Sequence, residues 1–190
     1  MKRLKSAEPS IRTLLPLHES LSDILNPSQV AALPARAIAA VAGAKASSNT
    51  TARRAAEVLL GKKLGFVIPT PKQKKNLVVA FAKRDMIVYG KAFDIVRLSG
   101  QVNLNDLSGI EQNLERVTLY EIKSTSREVD NDFRGYFFAV TAAELLVSQS
   151  LKSRFKFVFV DINTRNHVEL SLSQMFARAK GIYPTWSILF

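Results

Sequence analysis

Glu121 and Lys123 are the residues of this chain whose types and spacing could do phosphoryl chemistry. They close the run Val117-Thr118-Leu119-Tyr120-Glu121-Ile122-Lys123, which alternates like a strand. Strand side chains repeat every second residue, so Glu121 and Lys123 share a face with Val117 and Leu119, while Thr118, Tyr120 and Ile122 take the other. Two opposite charges at the end of an otherwise apolar strand are costly to bury unless they are paired or bound to something. A metal-held phosphate would partner both: the carboxylate ligates a hard cation, and the ammonium sits near the attacked phosphorus or the nucleophilic water. The ordinary alternative is an exposed, same-face ion pair near a strand end. Upstream, Asp94 stands in the middle of the apolar face Ala92, Val96 and Leu98. A carboxylate there implies an exposed edge or a ligand.

Composition narrows the partners. The 190 residues carry 27 Lys and Arg against 16 Asp and Glu, a formal net charge of +11. That excess favours a polyanion, because each basic group placed on a phosphate releases condensed counterions. The basic residues are spread along the chain instead of gathered on one amphipathic helix, which argues against a membrane surface. With no cysteine, disulfides, thiol catalysis and thiolate zinc sites are excluded. His18 and His167 stand apart without metal-ligand spacing, and neither a Walker-type loop nor a Gly-x-Ser-x-Gly elbow is present. No apolar run is long enough to span a bilayer, and the basic N-terminus lacks a signal-peptide core, so the expected location is cytoplasmic.

Local patterns supply the elements that must position these residues. Residues 1–46 read as an N-terminal helical arm, broken at Pro16, Pro27 and Pro34, that either packs and dimerises or reads DNA. Residues 47–190 form the second domain. Ala52 to Lys63 is a helix with Ala55, Val58 and Leu59 on one face; Glu57 lies beside that stripe, four residues from Arg53. Leu77 to Ala82 favours a helix started by Thr70-Pro71. Met86–Tyr89 and Ala92–Leu98 read as a hairpin joined at Gly90-Lys91, and Ile110 to Leu114 as a short helix. After the Glu121 strand, Tyr136 to Val140 reads as another strand. A helix opened by the capping box Thr141-Ala142-Ala143-Glu144 leads into the strand Phe155 to Ile162. Val168 to Leu172 is extended, Ser173 caps a last helix, and an apolar tail from Ile182 to Phe190 docks on the domain. The order is therefore helix, strands with an acid, the strand with Glu-x-Lys, a further strand, helix and strand, an α/β pattern.

Lys72, Lys74 and Lys75 make the densest basic cluster and are candidate phosphate contacts, as are Arg127 and Arg134 in the charged loop after the Glu121 strand. Tyr136, Phe137 and Phe138 could stack on bases, although alternating strand positions more often place such residues in a core.

Taken together, Asp94 in Phe93-Asp94-Ile95, Glu121-Ile122-Lys123 on the next long strand, and the helix and strand that follow resemble the PD-(D/E)xK nuclease superfamily. The resemblance covers about residues 55–162, and Phe93 stands where the motif has proline. It implies a mixed central β-sheet flanked by helices, the restriction-endonuclease-like core. It also implies a Mg²⁺- or Mn²⁺-dependent DNA endonuclease of the restriction, homing or junction-resolving type. Asp94, Glu121 and the backbone carbonyl of Ile122 would hold the metal, with Glu57 as a further, water-mediated ligand and Lys123 beside the nucleophile. Double-stranded or branched DNA is the expected partner, and a homodimer follows from cutting two strands. The alternative is a DNA-binding protein without catalysis, using the N-terminal helices or a nuclease-like fold.

Overall fold

Residues 50–182 are described by a computed structural model, and within them residues 50–61 form helix α1. The expected N-terminal arm and the tail beyond Ile182 lie outside these residues. Ala55, Ala56, Val58 and Leu59 recur at helical spacing and are buried, as a one-sided helix requires. The chain then turns through Gly65 (φ +83°), whose carbonyl accepts from the Leu98 N–H at 2.9 Å. A side chain at Gly65 would run into the Leu98 carbonyl, so this sheet edge closes only on glycine.

Five strands make one mixed sheet in sequence order: β1 (Phe66–Val67), β2 (Ile95–Leu98), β3 (Val117–Thr125), β4 (Phe155–Asp161) and β5 (His167–Leu170). All neighbours are antiparallel except β3 and β4, which run parallel from Leu119↔Phe155 to Thr125↔Asp161. A parallel pair needs a crossover, here supplied by α4 (Ala142–Leu151). Between β1 and β2 lies α2 (Pro71–Ala82), started by a Thr70–Gln73 capping box with proline at its first position. Between β2 and β3 lies α3 (Leu107–Gln112), capped by Asp106, and α5 (Leu172–Arg178) follows β5. No described helix is long and apolar enough to cross a membrane.

Strand alternation sorts the core onto two faces. Val117, Leu119, Phe155, Phe157 and Phe159 pack with Leu77, Phe81, Ile110, Val147, Leu151 and Met175 from α2 to α5. Ile95, Tyr120, Ile122, Val158 and Val160 pack under α1. On the α1 side Glu169 ties four strands together. It pairs with Arg97 at 2.6 Å, accepts from the Tyr120 hydroxyl at 2.8 Å and lies 3.4 Å from Lys156 Nζ.

Three expectations fail for identifiable reasons. The hairpin of Met86–Tyr89 with Ala92–Leu98 is absent. The Met86 N–H goes to the Phe81 carbonyl and the Ile87 N–H to Ser150 Oγ, while β2 starts only at Ile95 and pairs with β1 and β3. Tyr136–Val140 is no strand either: Tyr136 and Phe138 are spent on Phe159 side-chain packing, with Phe138 at 4.8 Å and Tyr136 at 6.3 Å between ring centroids. The last helix is capped by Ser171, not Ser173, because only Ser171 has a glutamine three residues on to complete a capping box.

Candidate active site

The site forms where β2 stops short of β3. Asp94, one residue ahead of β2, donates its N–H to the Tyr120 carbonyl at 2.9 Å, and its Oδ2 accepts the Ile122 N–H at 3.1 Å. The carboxylate thus takes the place of a ladder partner on the β3 edge. The N–H and carbonyl of one strand residue project to the same edge, so the Ile122 carbonyl also faces the side that β2 has vacated. The turn leading into Asp94 is clamped by Lys74, whose Nζ donates to the Phe93 carbonyl at 2.6 Å and the Gly90 carbonyl at 3.4 Å. The ammonium also stands 4.8 Å from the Phe93 ring centroid, a favourable cation–π distance.

Glu121 and Lys123 sit on the Leu119 face, the one toward α2 and α4. Lys123 Nζ donates to Glu121 Oε1 at 3.0 Å and to Glu144 Oε2 at 2.8 Å. Glu144 is the third residue of α4, where the same Oε2 accepts the Thr141 N–H at 3.2 Å. One carboxylate therefore caps the helix and grips the lysine. Glu121 is only 9% exposed and Glu144 5%. Burial, and then the neighbouring Asp94 charge, push Glu121 up to about 8 against the opposing pull of Lys123. Burial works to lower Lys123, but Glu121 and Glu144 outweigh it and hold the ammonium above its ordinary value. Lys123 is thus a charged hydrogen-bond donor in this arrangement, not a free base.

The sequence candidates separate accordingly. Asp94, Glu121, the Ile122 backbone and Lys123 come together. Glu57 does not join them: α1 covers the opposite face, where Glu57 pairs with Arg53 at 3.6 Å and lines a cleft of about 350 Å³ with Arg54, Ile162 and Arg165. Lys72, Lys75 and Arg127 are exposed and able to meet a phosphate. Lys74 is turned inward onto the Asp94 turn, and Arg134 is bridged to Asp130 at 2.8 Å and Asp132 at 3.8 Å. Sequence reasoning missed Glu144 as a site residue, because its capping-box signal already accounted for it.

Among the described residues no three His, Cys, Asp or Glu side chains are grouped to hold a metal ion. The donors present are the carboxylates of Asp94 and Glu121, near enough for the Asp94 charge to act on Glu121, and the Ile122 carbonyl on the edge where Asp94 is held. That set fits magnesium, which binds through one or two carboxylates and keeps the rest of its shell for water and substrate oxygens. Burial first and the Asp94 charge second raise Glu121, and the second of these is what a cation between the two carboxylates would relieve. Protein-family models, characterised proteins and solved structures all give no match to this chain.

Proposed function

We propose that this chain is a Mg²⁺- or Mn²⁺-dependent endonuclease that hydrolyses phosphodiester bonds in DNA, of the PD-(D/E)xK kind. The observation that carries the reading is the meeting of Asp94 and Glu121 beside Lys123 at the open end of β3. The element order supports it too: a helix, three antiparallel strands, a crossover helix and a parallel strand agree with the mixed core that the resemblance implies. Asp94, Glu121 and the Ile122 carbonyl would hold the cation. When bound, a divalent ion supplies charge that offsets phosphoryl oxygens and acidifies water. Lys123 donates hydrogen bonds toward the negative charge that develops at phosphorus. Glu144 fixes the height and direction of that ammonium, and Lys74 fixes the turn that carries Asp94. Exposed Lys72, Lys75 and Arg127 contribute phosphate contacts. Cutting both strands of a duplex calls for two such sites, hence a homodimer.

One feature favours the second reading, a DNA-binding protein without catalysis: the described residues offer no third carboxylate ligand. Supercoiled plasmid incubated with Mg²⁺ or EDTA separates the two. Nicking that needs the metal and disappears in Glu121→Gln and Lys123→Ala supports the nuclease. Retention of plasmid without nicking, equal in EDTA, supports the binder.

A further inference from the structure

The loop that joins β3 to α4, residues 126–141, has no helix or strand of its own, yet it is built on fixed points. Asp130 Oδ1 accepts the N–H groups of Asp132 at 3.1 Å and Arg134 at 2.8 Å, folding the tip into a turn. The Tyr136 hydroxyl donates to the Ser124 carbonyl at 2.7 Å, one residue beyond Lys123. The Phe138 ring stacks near Tyr136 (5.7 Å) and meets Phe159 edge-on (4.8 Å), and Phe159 is the cross-strand neighbour of Lys123. Phe133 closes the same cluster on Phe159 at 6.0 Å.

Because Tyr136 and Phe138 both point inward, the residue between them is forced outward. Phe137 is 79% exposed, the most exposed large hydrophobic side chain among the described residues. Both flanking rings pack on Phe159, and the Phe137 ring is left facing water. Its backbone is held between Tyr136, tied to the Ser124 carbonyl next to Lys123, and Phe138, packed on the Phe159 that registers with Lys123; exposed Arg127 is on the same loop. In a uniform duplex every base face is already stacked, so a lone ring finds no partner there. An unpaired or splayed base offers a free face, and stacking on an aromatic ring is tolerant of base identity.

We propose that Phe137 is a stacking platform for an unpaired base next to the cleaved phosphate, so that the preferred substrate is branched, bulged or forked DNA and not uniform duplex. This rests on the nuclease reading and narrows its substrate class.

The test uses the full chain and two oligonucleotides of matched sequence, a plain duplex and a forked duplex with 2-aminopurine at the first unpaired position. Binding is measured in EDTA and cleavage in Mg²⁺, for the wild type, Phe137→Ala and Phe137→Trp. The wild type is expected to bind the fork about tenfold more tightly than the duplex and to quench 2-aminopurine, in line with the usual worth of one stacked base. Phe137→Ala is expected to lose that preference and the quenching, and Phe137→Trp to keep both. Equal fork preference in Phe137→Ala overturns the proposal while Mg²⁺-dependent cleavage leaves the nuclease reading standing. Quenching that depends on Phe137 without any cleavage keeps the base contact but overturns the nuclease reading and, with it, the assignment of a cleaved substrate. A wild type that binds neither DNA overturns both.

Discussion

Replacing Glu121 by glutamine is expected to abolish cleavage and yet to stabilise the metal-free protein at neutral and alkaline pH. Glu121 is buried beside Asp94, and its pKa is raised from 4.5 to about 8. A carboxylate raised in the folded state favours folding while protonated. That contribution is fully present below the unfolded pKa, 4.5, and is lost as pH climbs toward about 8. Each unit corresponds to about 1.4 kcal/mol, so the whole span is about 4–5 kcal/mol before Lys123 and the unfolded chain take their share. Allowing half, the charged Glu121 costs about 2 kcal/mol at pH 8, or about 4–8 °C in Tm for a chain of this size. Glutamine keeps an acceptor for Lys123 and removes the charge. Thermal melts in EDTA at pH 5 and pH 8 are the assay. Glu121→Gln is expected to melt above the wild type at pH 8 and level with it at pH 5, and added Mg²⁺ to raise the wild type alone. A variant that melts at or below the wild type at pH 8, or a gap that does not close at pH 5, refutes the reasoning.

Other expectations follow from particular contacts. Glu144→Gln keeps the helix cap but weakens the grip on Lys123, so cleavage should fall about tenfold or more with a Tm change worth under about 1 kcal/mol; unchanged cleavage means that Lys123 is placed without it. Lys74→Met should lower cleavage by displacing the Asp94 turn and leave the salt dependence of DNA binding alone. The Lys72→Ala, Lys75→Ala double variant should instead reduce the slope of log K against log salt by about 2. If Lys74→Met lowers that slope as well, Lys74 is a phosphate contact after all. Glu169→Ala strands the Arg97 guanidinium and the Tyr120 hydroxyl, at a cost of about 2–4 kcal/mol in denaturant melts. A loss under about 1 kcal/mol shows that the network is replaceable.

The strand carrying Glu121 and Lys123 was legible because alternation is a local property: Val117 and Leu119 announce the face and the charges fall in phase with it. Helices α2 and α4 were legible for a similar reason, since Thr70 and Thr141 cap them through residues three positions on. What could not be read was anything settled between distant segments. Met86–Tyr89 has strand-like composition, but its first two N–H groups go to the Phe81 carbonyl at the end of α2 and to Ser150 across the fold, not to another strand. Lys74 reads as one of three solvated lysines, and only the tertiary turn at Gly90–Phe93 gives it two carbonyls to hold. Glu57 lies beside its helix's apolar stripe as expected, yet which face of the sheet α1 would cover is not written in that stripe. Tyr136, Phe137 and Phe138 look equivalent in sequence, and the loop's anchoring makes two of them core and one surface.

The charge distribution sets the surface against the end of β3. The chain as a whole is at +11, which draws a polyanion from a distance. At the end of β3 the sign reverses: buried Glu121 and Glu144 share a single ammonium, Lys123, and the Asp94 charge acts on Glu121 from the neighbouring strand end. At pH above about 8, where Glu121 is charged beside Asp94, a phosphate drawn to the surface by Lys72, Lys75 and Arg127 therefore meets local repulsion there. Repulsion of that kind would defeat a simple phosphate-binding groove, which gains nothing from carboxylates in its floor. It is removed if a divalent cation sits between acid and phosphate, because the same carboxylates then become the cation's ligands. Adding Mg²⁺ should accordingly tighten binding of uncleavable phosphorothioate DNA to the wild type. Glu121→Gln, with less repulsion to overcome and fewer ligands to offer, should bind such DNA more tightly in EDTA above about pH 8, where wild-type Glu121 is charged, and gain little from Mg²⁺. Equal binding by both proteins under both conditions would mean that the DNA never reaches this end of the strand.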